Sequence, residues 1–136
     1  MSELIPEHEV NIDRLESIFN SEHYNTTRDK DDLLVVFAEG SHIFVGIDSD
    51  RKFIEFFAYW VLKERAKEID KLRLASQLNY RYIFLRWSVP APNMLFAKYD
   101  FSFEGGITPH FICQVLKLFL RTFCIPPLED KVGVLG

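Results

Sequence analysis

Four groups of residues in this 136-residue chain have types that could do chemistry, and their spacing argues against each. Asp48-Ser49-Asp50 has the opening acidic positions of a calcium loop. However, Arg51-Lys52 follows where a further oxygen ligand and a sharp-turn glycine are needed, so the segment predicts a hairpin turn. His8, His23, His42 and His110 have no metal-ligand spacing and no neighbouring cysteine pair, and read as solvated or capping residues. Cys113 and Cys124 fall in an apolar helical stretch, which raises a thiol pKa and disfavours a nucleophile. Placed 11 residues apart on one helix, they are separated by about 16 Å. A disulfide needs Cα atoms about 4.4–6.8 Å apart, so both predict reduced, buried thiols. Gly105-Gly106 precedes a helix but belongs to neither phosphate-binding glycine pattern and adjoins Glu104; it predicts a strand-to-helix turn needing positive φ. No acid/base pair assembles by spacing. The expectation is a non-enzymatic chain with no catalytic residue, no metal and no cofactor.

The elements around these residues follow from periodicity. Asn11 predicts an N-cap for a helix to about His23, with Ile12, Leu15, Ile18 and Phe19 on one stripe. Residues 25–32 read as a polar linker or strand lead-in. Strands are predicted over Leu33–Ala38, His42–Asp48 and Phe53–Trp60, joined by turns at Glu39-Gly40-Ser41 and Asp48-Ser49-Asp50, as a meander. The pattern turns helical from about Val61 to Tyr80. Two aromatic-rich strands, Ile83–Val89 and Met94–Phe103, flank a turn at Pro90-Ala91-Pro92-Asn93. Thr108-Pro109 starts a last helix that Pro126-Pro127 is expected to end. Its apolar residues cover more than the usual ~100° stripe.

Composition bounds the function. A length of 136 residues with 48% hydrophobic content fits a single domain with its own core, about residues 11–125, flanked by a less ordered leader and tail. The net charge of −4 disfavours nucleic acid, whose binders present a basic patch. Lys63–Arg73, the densest basic stretch, is broken by Glu64, Glu68 and Asp70 and reads as a solvated helix face. The start, Met1 to Glu7, has neither the cationic nor the apolar region of a signal peptide. No apolar run is expected to reach the ~20 residues of a membrane helix, so the expectation is a cytoplasmic protein with no membrane partner.

Thirteen Phe, five Tyr and two Trp exceed what a minimal core requires, and aromatics dominate interfaces as well as cores. Alternation does not place Phe44, Phe53, Phe57, Tyr59, Phe84 and Trp87 on one sheet face, so a sheet or groove surface for a protein partner is predicted. The candidate protein-binding residues are Phe44, Phe57, Tyr59 and Trp87 on the sheet, with Phe119 and Phe123 on the last helix. A small-ligand or enzymatic pocket using Arg86, Tyr99 and Asp100 is the alternative, and a structural assembly subunit is a third reading.

The order helix, three-stranded meander, helix, hairpin, helix resembles the YbjN family of bacterial sensory transduction regulators. The resemblance covers about Ile12 to Phe123. It is carried by the short first helix, the Phe53–Trp60 strand, Ala75-Ser76-Gln77-Leu78-Asn79-Tyr80-Arg81 at a helix end, and Phe101-Ser102-Phe103-Glu104-Gly105-Gly106-Ile107-Thr108 after the hairpin. Asn79 matches the family's helix-end Asn, whereas a second Asn often found a few residues later is absent. The family looks like the type III secretion chaperone fold, whose members bind protein segments and often dimerise. The resemblance thus implies an α+β domain of order α-β-β-β-α-β-β-α, with three helices on one face of a five-stranded antiparallel sheet. It also implies a homodimer with a chaperone-like or regulatory role and no catalysis.

Overall fold

A computed structural model describes residues 3–136. The chain forms α1 (Ile12–Ser21), β1 (Asn25–Arg28), β2 (Leu34–Ala38), β3 (Ser41–Asp48), β4 (Phe53–Val61) and α2 (Glu68–Arg81), then β5 (Arg86–Ala91), β6 (Met94–Ser102), α3 (Pro109–Phe123) and a one-turn α4 (Pro126–Glu129). The strands form one sheet of six in the order β1-β2-β3-β4-β6-β5, not the five expected. The additional strand is β1, paired antiparallel with β2. Its sequence, Asn-Thr-Thr-Arg, has no apolar alternation because its inward residues, Thr26 and Arg28, make polar contacts with α1. The Thr26 hydroxyl hydrogen-bonds Glu16 at 3.0 Å and lies 2.9 Å from the Asn20 side chain. Arg28 pairs with Asp13 at 2.7 Å and Glu16 at 2.9 Å, which holds its guanidinium firmly in the charged form.

The fold divides into two compact units, Met1–Phe56 with Asp100–Leu120, and Phe57–Tyr99 with Arg121–Gly136. In the first unit, the Asn11 side chain caps α1 by accepting the Arg14 N–H at 2.8 Å, as the sequence predicts. Leu15, Ile18 and Phe19 of that helix are buried. Phe56 is fully buried at the centre of an aromatic cluster, 6.2 Å from Phe19, 5.1 Å from Phe101 and 6.1 Å from Phe119 between ring centres. Edge-on and tilted rings at such distances add to the gain from burial alone. The Thr108 hydroxyl accepts the Phe111 N–H at 3.1 Å and caps α3. Taken together, α3 and α4 (Pro109–Glu129) span 21 residues, long and apolar enough by length and composition alone to cross a membrane, contrary to the sequence expectation. Half of its 18-residue apolar window is buried inside the protein, as in a core helix.

The second unit shows why residues 61–67 are not helical. The Leu62 N–H donates to Asn93 O at 2.8 Å, the Lys63 N–H to Val134 O at 2.8 Å, and the Gly136 N–H to Val61 O at 2.8 Å. The backbone is therefore engaged by distant segments, and α2 starts only at Glu68. The tail is docked rather than frayed: Val134 is 1% exposed, and the Asp130 carboxylate accepts the N–H groups of Val134 and Leu135. Pro126 starts α4 instead of only ending the helix before it. At the other end of α2, the Asn79 amide grips the Trp87 backbone, accepting its N–H and donating to its carbonyl, each at 2.8 Å. This grip sets the entry to β5, which begins at Arg86 and not Ile83. Pro90 is accommodated because β5 is an edge strand whose register shifts between Ser88 and Ala91.

In the first unit the leader is also docked. Ile5 is 1% exposed and exchanges both backbone hydrogen bonds with Ile107, at 2.7 and 3.0 Å. Gly105 and Gly106 adopt φ of +81° and +107°, the turn expected from sequence, and a Cβ on Gly106 would lie 2.9 Å from Ile5 O. The Gly105 N–H does bind an anion, but it belongs to the chain itself: the Glu7 carboxylate accepts it at 2.7 Å and meets Lys52 Nζ at 2.6 Å. The Lys52 hydrogen bond, with help from Gly105, holds the Glu7 carboxyl below the usual carboxylate range, and Glu7 raises Lys52. The depressed Glu7 contributes stability above its unfolded pKa of about 4.3, lost as pH falls through its folded value. The raised Lys52 contributes below about pH 10.4, and that contribution is lost as pH rises through its folded value. An NMR titration should find the Glu7 carboxyl below the ordinary glutamate value, and Glu7→Gln should return Lys52 towards its ordinary pKa. An unshifted Glu7 would contradict this latch.

Candidate functional site

Strand alternation assigns side chains to two faces. In the second unit, one face carries Phe57 and Tyr59 from β4, Phe96 and Lys98 from β6, and Arg86 and Ser88 from β5. Register places Arg86 opposite Lys98 and Ser88 opposite Phe96. The Phe57 and Phe96 rings lie 5.7 Å apart; both are half-buried, and Tyr59 is 46% exposed. This apolar strip lies beside two basic residues, without the burial seen on the opposite face.

That opposite face holds the core of this unit. Trp87 lies opposite Ala97 in the register, and both are buried. The Trp87 ring is parallel to that of Phe123, 6.0 Å away, and Trp60 stacks on Phe123 at 5.4 Å while its indole N–H donates to the Phe123 carbonyl at 2.9 Å. Trp87 is 4% exposed and Phe123 5%, so neither offers a surface to a partner. The sequence grouped Trp87 with the outward aromatics because its face depends on the pairing of β5 with β6, which local alternation does not specify. In the first unit, Phe119 is fully buried against Phe56. Phe44 is half-buried opposite Val35, on the strand face that also carries Phe37 and His42, whose rings meet edge-on at 4.7 Å. Of the six candidates, Phe57 and Tyr59 come together in one unit, and Phe44 lies in the other. Phe96 and Lys98 were missed as members; their alternation was visible, but their register was not.

The alternative pocket does not form from Arg86 and Tyr99. Since Arg86 pairs with Lys98, Tyr99 projects from the opposite face of β6 and stacks on Phe84 at 4.1 Å. Asp100 is half-buried in the first unit. Asp48 closes its turn by accepting the Arg51 N–H at 3.1 Å. Among the described residues, no three His, Cys, Asp or Glu side chains gather as metal ligands.

A family model named YbjN, "Putative bacterial sensory transduction regulator", matches residues 11–124. The chain belongs to the YbjN family. The crystal structure of YbjN from E. coli, described as a putative transcription regulator, superposes with a TM-score of 0.76, covering 93% of this chain and 96% of that one. Identity is 11%, so the likeness is one of fold. No curated protein matches the chain.

Both cysteines of this YbjN-family chain are free, but only Cys113 is buried; Cys124, expected inside, is exposed. Burial, with the nearby Glu22 charge, pushes the Cys113 thiol up to about 11, partly offset by Lys117. A thiol reagent at pH 8 should therefore modify Cys124 readily in the native protein and Cys113 only after denaturation. Equal native reactivity would contradict this placement.

Proposed function

We propose that this chain is a non-enzymatic cytoplasmic regulator that binds an extended segment of a partner protein, in a chaperone-like capacity, through the Phe57–Tyr59–Phe96 strand face of its second unit. The observation that carries this reading is the pairing of Phe57 with Phe96 on a face that also holds the partly exposed Tyr59. Aromatics with a basic rim suit a segment carrying apolar and acidic side chains, since aromatic and arginine residues supply most interface hot spots. Membership of a regulator family supports a binding role. Self-association as a homodimer fits the exposed apolar face of α2, where Ile69 is 52% and Tyr80 87% exposed.

The test is a Phe57→Ser/Tyr59→Ser variant, used with wild type to capture partners from the native host by crosslinking and mass spectrometry. The variant should retain its circular dichroism spectrum and cooperative unfolding while its affinity for the captured partner falls at least about tenfold. Retention of the partner would contradict the proposed face. Global unfolding would show that these residues serve the core.

A further inference from the structure

Within the second unit, one buried amine lies apart from the sheet face. Lys71 of α2 is 3% exposed, and its amine donates to the Pro92 carbonyl. Among the described residues no carboxylate lies within 4.0 Å of that amine. An ammonium has three donors, and a buried charge is costly unless it is paired. One carbonyl satisfies one donor and supplies no counter-charge.

Lys71 and Pro92 both line a groove of about 390 Å³, within the usual range of ligand clefts. Its apolar wall is formed by Leu72, Pro90 and Pro92, and two exposed carboxylates, Glu64 and Glu68, also line it. These charges select the ligand. A simple anion would meet one lysine and two glutamates, and a metal cation would meet the ammonium. A ligand carrying both signs and an apolar body is matched throughout.

We propose that this groove binds a small zwitterion with an apolar side chain, of the free α-amino acid class. The ligand carboxylate takes the remaining donors of Lys71, its ammonium faces Glu64 and Glu68, and its side chain lies on the proline and leucine wall. The site does not depend on the protein-binding reading and goes beyond it.

Isothermal titration calorimetry of the full chain tests this with L-leucine, L-leucinamide, which lacks the carboxylate, and N-acetyl-L-leucine, which lacks the ammonium. L-leucine should bind saturably with a Kd below about 1 mM, and each analogue at least about tenfold more weakly. Lys71→Met keeps the buried stem, removes the charge and should abolish leucine binding in a folded protein. If that variant does not fold, Glu64→Gln/Glu68→Gln, at exposed positions, carries the test: leucine should weaken about tenfold while N-acetyl-L-leucine does not weaken. No saturable heat from leucine, equal binding of the analogues, or wild-type affinity in folded variants would overturn the proposal.

Discussion

Every residue of β4 must point to one side of the sheet or the other, and that two-residue period governs how the aromatic content of this chain is used. Ile54, Phe56 and Ala58 are buried, whereas Phe53, Glu55 and Phe57 between them are only half-buried. In the first unit, Phe56 organises a cluster with Phe19, Phe101 and Phe119. In the second, Phe123 stacks against Trp60 and Trp87. Much of the aromatic surplus is therefore core, and the alternate residues Phe53, Phe57 and Tyr59 stay partly exposed. A one-residue slip would exchange the two sets, so the same register that folds the strand also selects which aromatics stay partly exposed.

Backbone clamps distant in sequence complete each unit. Ile5 pairs with Ile107, and Glu7 bridges Lys52 and Gly105. Val134 and Gly136 hold residues 61–63, and Asn79 holds Trp87. Those at Ile5 and Trp87 satisfy polar groups of buried residues, which would otherwise be costly. The glycine pair preceding α3 shows how readily a motif can mislead. Its N–H group is an anion site in geometry, and the chain fills that site with its own carboxylate.

Much of the architecture was legible because it is local. The Asn11 and Thr108 caps, the β2–β3–β4 meander, the closing hairpin and the family follow from residues close together in sequence. The parts missed depend on distant partners. β1 lies where the sequence reads as a polar linker or strand lead-in, because its inward face is polar and paired to α1. The start of α2 was read seven residues early because hydrophobic periodicity continues across Val61 and Leu62 while their backbone is held by Asn93 and the tail. At the candidate site, Phe57 and Tyr59 were found from alternation. The burial of Trp87, Phe119 and Phe123 required knowing what packs against them.

The central claim is that adjacent phenylalanines on β4 contribute unequally to folding, Phe56 from within the core and Phe57 from the half-buried face proposed for binding. Urea unfolding of Phe56→Ala and Phe57→Ala, followed by circular dichroism, tests it directly. Loss of the buried ring should cost about 3–5 kcal/mol, and loss of the half-buried ring less than about 1.5 kcal/mol. Equal losses from the two substitutions, or a larger loss at Phe57, would contradict the division of the sheet into a folding face and a binding face.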